Sequence, residues 1–330
     1  MRKMSTALIS VFGVFISPAF WLASLMLAIP YSSGIAAEAY ITEFGRSNVV
    51  VIDLATNQIT HRIKVGTSPW GISLHQGTNT AYVSNVDSEN VSIINMLDKK
   101  VIATVEVGRN PVGIAILPNG MQAYVANAHS NTLSIIDTSK YEVVNTISVG
   151  ISPRCIAVDP SSKRIFVTNF GSDTVSEIST LTNEIISTIK VGKGPFGIAI
   201  HPNGKTLYVA NSRSNTVSVI DLTLGRQVTT IEVGHRPHVL SIKPDGSEIY
   251  SPSVDDDMLY VIDTRNNLVS HVQQVGKFPR GVGYSSETNK IYQVNVKGNS
   301  ITIFDAISYK KIGEIDGLSW PYAIGNFITQ

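Results

Sequence analysis

From residue 38 onward the chain alternates apolar and polar residues in short runs, broken by clusters of Gly, Pro, Asn, Asp and Ser. Period-two runs bounded by turn residues predict β-strands, and no long stretch after residue 30 has the apolar spacing of a helix. One run organises the others. In Tyr208-Val-Ala-Asn-Ser-Arg-Ser-Asn-Thr-Val-Ser-Val-Ile-Asp221 an aromatic-plus-Val strand leads into a polar loop and then a second alternating strand. The aromatic recurs at Tyr40, Tyr82, Tyr124, Phe166, Tyr208, Tyr250 and Tyr292, always 42 residues apart. A fixed period of this size marks a repeat architecture that closes as one unit, although length alone would suggest about two domains.

Turn signals divide each unit into four strands. In the unit that begins at Pro195 these are 196–200, 206–210, 216–222 and 228–233, with His201-Pro-Asn-Gly204 as the first hairpin. Units end in Val-Gly-x-x-Pro, with glycines at 66, 108, 150, 192, 234 and 276 and prolines three residues later; Gly317 and Pro321 form a seventh pair with one residue inserted. The glycines are expected to supply a positive φ, and the prolines to hold the residue before them extended. The chain enters at the second strand of a unit and ends, from Pro321, on a lone first strand. Joining the two completes a seventh blade. The prediction is an all-β fold: a seven-bladed propeller of four-stranded antiparallel blades, one C-terminal strand joining three N-terminal ones.

The Trp-Asp dipeptide of WD40 repeats is missing, and Gly-His occurs once, at Gly234-His235, rather than once per repeat. Instead, Tyr82-Val-Ser-Asn85, Tyr124-Val-Ala-Asn127, Phe166-Val-Thr-Asn169 and Tyr208-Val-Ala-Asn211, with the flanking Pro-x-Gly-Ile-Ala and Val-Ser-Val-Ile-Asp phrases, resemble the YVTN β-propeller family over about residues 38–330. The resemblance implies the fold and an exported protein. It implies no single activity, because related propellers include dehydrogenase subunits and lactonases. The motif tyrosines are expected to pack between blades, and the Asn and Asp residues to make turns.

Residues 1–37 read as a secretory signal. Arg2 and Lys3 precede an apolar run to about Pro30, followed by small residues through Ala37. Cleavage after Ala36 or Ala37 predicts a periplasmic or extracellular protein of residues 38–330. An uncleaved anchor is the competing reading, and would be the chain's only membrane contact. Without that segment 24 basic residues face 25 acidic ones. Such a balance, with export, argues against a nucleic-acid partner. The single cysteine, Cys155, excludes an intrachain disulfide. It replaces a repeat glycine and reads as a small buried residue rather than a nucleophile.

Structural need acts on every repeat alike, so positions that break the repeat are where function is sought. The residue after each proline should rim the channel mouth on the face that carries the Gly-x-x-Pro loops. These are Trp70, Val112, Arg154, Phe196, His238, Arg280 and Tyr322, with His235 and Arg236 alongside. Arginines suit a carboxylate or phosphate, and aromatics offer stacking and cation–π surface. His235 and His238 lack a third ligand at metal-site spacing. Asp255-Asp-Asp257 lacks the spacing of a Ca²⁺ loop and reads as an exposed acidic tip.

No hydrolase elbow, phosphate loop, zinc-protease motif or haem-attachment motif occurs. The sequence therefore predicts a binding or scaffold protein that presents its rim to a small anionic ligand or an envelope protein. The alternative is a quinone-linked redox accessory or a lactonase-like enzyme using the same mouth. No cofactor is predicted outright; the candidates are pyrroloquinoline quinone at the rim or a divalent cation.

Overall fold

A computed structural model describes residues 37–329; the signal segment, apart from Ala37, lies outside the described residues. The described chain forms seven four-stranded antiparallel sheets, with one short 3-10 turn at Gln76–Thr78. Blades are numbered here by their aromatic, so that Tyr40 belongs to blade 1 and Tyr292 to blade 7. Among the described residues no helix is long and apolar enough to cross a membrane.

Blade 1 closes the ring. Its strands Glu38–Glu43, Asn48–Asp53 and Gln58–Lys64 come from the N-terminal side, and Pro321–Tyr322 adds the innermost one, with Thr42 opposite Tyr322 and Glu43 opposite Pro321. The closing strand is not the continuous one expected. After Tyr322 it swings to blade 2, where Ile72 N–H donates to the Ile324 carbonyl and Leu74 N–H to that of Asn326. It then returns to blade 1 through Tyr40 N–H to Phe327 O and Thr329 N–H to Glu38 O. Gly325, at φ 115°, makes the crossing; a Cβ there would stand 2.2 Å from the Ile72 carbonyl oxygen. The C-terminus thus stitches two blades rather than one.

The six motif tyrosines and Phe166 are buried between blades, as the repeat implies. Two of the hydroxyls donate to an asparagine 59 residues further on, in the last hairpin of the next blade: Tyr124 to Asn183 and Tyr208 to Asn267, at 3.1 and 3.0 Å, whereas that of Tyr250 donates to Glu248. Phe166 has no hydroxyl, and the residue 59 further on is Gly225, which has no side chain.

Two expectations about the blade junctions are corrected. Gly66, Gly108, Gly150, Gly192, Gly234 and Gly276 are not among the residues with positive φ. Five of the six are bare because the motif asparagine packs on them: a Cβ on Gly192 would lie 2.6 Å from Asn211 Cγ, and the same holds at Gly66, Gly108, Gly150 and Gly276, while at Gly234 Asp256 and Tyr260 fill that space. That asparagine is accordingly more than a turn residue. The Asn211 amide donates to Thr216 and Ser218, locking the loop to the third strand.

The left-handed residue is instead the one before each proline, at Ser68, Asn110, Ser152, Gly194, Arg236, Phe278 and Trp320. Proline disfavours the right-handed helical region there but leaves this one available when both backbone groups are held. They are: Phe278 N–H donates to Asp257, and its carbonyl accepts from Val296 N–H.

Blade 6 departs from the others, although the proline at position 252 does not interrupt its second strand. Strand Glu248–Ser253 is unbroken, and it is the innermost strand that shrinks to Ser241–Ile242. The Pro252 carbonyl still accepts from His238 N–H, so residue 252 turns its polar side toward that strand. Proline has no N–H to donate there.

Candidate functional site

The residues after the prolines form a belt around one mouth of the channel. Trp70 stacks on Tyr322 with ring centroids 4.5 Å apart, and Phe44 closes on both at 5.8 and 5.7 Å. The Arg280 guanidinium lies over Tyr322, Trp70 and Phe278 at 5.6, 5.9 and 4.6 Å. Next round the ring, the His238 ring Nδ1 is 3.2 Å from the Arg280 carbonyl, and Phe196 packs on the imidazole at 3.9 Å. Arg154 lies over Phe196 and Phe170. Val112 fills the seventh place.

Six of the eight residues singled out from sequence (Trp70, Arg154, Phe196, His238, Arg280 and Tyr322) therefore meet in one cluster. Arg236 borders it, its guanidinium over Phe278 and paired with Asp255. His235 does not join; its exposed ring bonds Asp256 at 2.8 Å. Asp257 pairs with Lys277. The acidic loop is thus an acceptor for neighbouring loops rather than a free tip, and its three carboxylates have separate partners. Among the described residues no group of three metal-ligating side chains comes together.

The charge at the mouth is only partly compensated: Asp255, paired with Arg236, offsets some of it at Arg280. Arg154 makes no hydrogen bond or ion pair among the described residues, and its Nε is buried without a partner. Arg280 has only the Tyr322 hydroxyl, at 3.3 Å, and its Nε is likewise unpartnered. Burial lowers the pKa of both from the ordinary arginine value, and Arg280 and Arg213 push Arg154 further in the same direction. Arginine stays protonated even so. Two half-buried cations without a carboxylate are unfavourable unless something anionic arrives.

His238 is not a third cation. Burial, then the charges of Arg280, Arg154 and Arg236, hold its pKa well below 6.5, so it is neutral and its Nδ1–H donates to the Arg280 carbonyl. The unfolded chain takes up the proton first, so stability is full above about pH 6.5 and falls as pH drops below it, by at most ~1.4 kcal/mol per pH unit. Urea midpoints at pH 7 and 5.5 should therefore differ less in His238→Gln than in the parent. Equal differences would place the proton uptake elsewhere.

Cys155 follows Arg154 on the innermost strand and is buried, with its thiol pushed up to about 12. It is not a nucleophile in this state.

The sequence reading missed Phe44, Phe170, Phe278, Arg213 and Lys297. Arg213 lies 4.3 Å over the Phe170 ring and Lys297 4.4 Å over Phe278. The signal was available at neighbouring registers. Phe170 and Phe44 stand where other repeats carry Val, Ala or Ser, and Phe278 stands where Ser, Asn or Gly is usual.

A family model described as YNCE-like beta-propeller matches residues 120–313. No curated protein matches the chain. Among solved structures the chain is similar to Kuenenia stuttgartiensis hydrazine synthase (20% identity, 79% of this chain and 90% of that one, TM-score 0.73). It is similar also to dihydro-heme d1 dehydrogenase NirN in complex with DHE (14%, 91% and 77%, TM-score 0.68). A candidate 6-phosphogluconolactonase from Bacteroides fragilis aligns at 15%, over 88% and 98%, with TM-score 0.75. At these identities the likeness is one of fold, and a propeller fold hosts many functions.

Proposed function

The chain belongs to the YNCE-like β-propeller family, and from that premise we propose that it is an exported binding protein whose channel mouth holds a small organic anion. The observation that carries this reading is the pair Arg154 and Arg280, half-buried, without a carboxylate partner and with both Nε atoms unsatisfied. Each guanidinium lies over aromatic faces, and apart from the Arg280 bond to the Tyr322 hydroxyl its N–H donors are open to a carboxylate or phosphate.

The aromatics supply stacking and cation–π contact, but they do so within the protein. Trp70 and Tyr322 cover each other, Phe196 covers His238, and the remaining faces hold guanidinium groups. The site demands negative charge and makes no demand that the ligand be planar. Pyrroloquinoline quinone is one tricarboxylate that meets it; NirN, a neighbour in fold, was solved with DHE bound. The enzyme alternative has only this fold analogy behind it, since the one thiol at the mouth is buried and protonated.

A thermal-shift screen of residues 38–330 against mono-, di- and tricarboxylates, pyrroloquinoline quinone, inorganic phosphate and a nucleoside monophosphate tests the proposal. Anions at 100 times their Kd should add about 2.7 kcal/mol of stability. Uncharged analogues should add none. No shift with any anion would remove the small-ligand reading and leave the mouth as a surface for an acidic envelope partner.

A further inference from the structure

Below the charged mouth the channel is lined mostly by apolar side chains, with Ser241, Asn326 and strand-edge backbone groups among them. A cavity of about 300 Å³ begins at Cys155, Gly197 and Val239, each the residue after a rim residue, and runs down the innermost strands to Pro244 and Tyr284. Ile156, Ile198, Ile200, Leu240 and Ile242 supply much of its wall, and no charged side chain lines it. Ile156, Ile200, Leu240 and Ile242 are half-buried, each packing in part against the core between blades. The strand edges that would make such a wall polar are partly used up. Gly197 N–H donates to the His238 carbonyl at 2.8 Å.

We propose that the ligand is an anionic amphiphile, with its carboxylate, sulfate or phosphate head between Arg154 and Arg280 and an aliphatic tail in the channel below. The inference rests on the anion reading of the mouth and adds to it the chemistry of the rest of the molecule. Charge complementarity fixes which end sits where: the guanidinium groups without a carboxylate partner are at the mouth, and the side chains beneath are uncharged and mostly apolar. The volume lies at the low end for small-molecule pockets and suits a medium-length chain rather than a long one. The innermost strand of blade 6 is reduced to Ser241–Ile242, so Leu240 lies just outside its ladder.

Calorimetric titration with a series of n-alkyl carboxylates and n-alkyl sulfates, all below their micellar concentrations, tests this. Affinity should rise about fourfold per methylene until the channel is full and then level off. Leu240→Phe should shorten the length at which it levels off while leaving the affinity for acetate unchanged. Should that variant fail to fold, Ser241→Leu in the same wall is the substitute. If short and long chains bind equally well, the tail inference is overturned and the anion reading stands. Should uncharged n-alkanols bind as tightly as the carboxylates, the mouth does not select an anion and both readings fall. If none of these binds, both fall as well.

Discussion

Deletion of residues 322–330 should abolish cooperative folding. The deletion removes Tyr322, Ala323, Ile324, Phe327 and Ile328, all buried. Burial of a large apolar side chain contributes about 1.5–3 kcal/mol, so the loss is on the order of 10 kcal/mol, comparable with the whole stability of a typical domain. Backbone partners go with it. Tyr40 N–H loses Phe327 O, and Ile72 and Leu74 N–H lose Ile324 and Asn326. Blades 1 and 2 then face the channel with open edges, which recruit other strands. The expected result is a broad, probe-dependent unfolding curve and aggregation. A truncated protein that melts as a single transition at the parent temperature would contradict this account of ring closure.

The second large effect concerns the mouth. Arg154→Ala with Arg280→Ala should weaken binding of any anion hit by at least about 100-fold, because charge-assisted hydrogen bonds contribute about 1.5–3 kcal/mol each. The same substitutions should leave the ligand-free protein as stable as the parent, or more stable by about 0.5–2 kcal/mol. The reason is physical: in the free protein the two guanidinium groups are desolvated, unpaired and repelled by neighbouring cations. Loss of binding without loss of stability separates a binding pair from a structural one. A variant with lower denaturant midpoint and intact binding would reverse the assignment.

How far the sequence could be read depended on what repeats. Structural constraint is imposed seven times, so the fixed spacing of the tyrosines, glycines and prolines was enough to predict the blades and their closure. The rim was legible for the complementary reason: Arg154, His238 and Arg280 occupy a register where the other copies carry Val or aromatics. Reading only one register left out Phe170, Phe278 and Arg213, which reach the same mouth from the loops on either side.

Backbone detail was the least legible. A glycine can serve through positive φ or through its missing Cβ, and sequence does not distinguish the two. At Gly192 the missing Cβ decides, because Asn211 fills that space. The left-handed residue before each proline depends on partners such as Asp173 for Gly194 and Asn215 for Arg236, one loop away in space and 21 residues back in sequence. The break at Gly325 arises from contact with blade 2, which no local pattern announces.

The central claim is that the buried, unpartnered Nε–H groups of Arg154 and Arg280 await an anion. It is tested most directly by NMR of protein labelled with ¹⁵N-arginine, following those two side-chain resonances as a thermal-shift hit is titrated in. The account predicts that both resonances move together, saturate at the calorimetric Kd and slow their exchange with water. A hit that binds and stabilises the protein while leaving both resonances in place would show that the anion site is elsewhere.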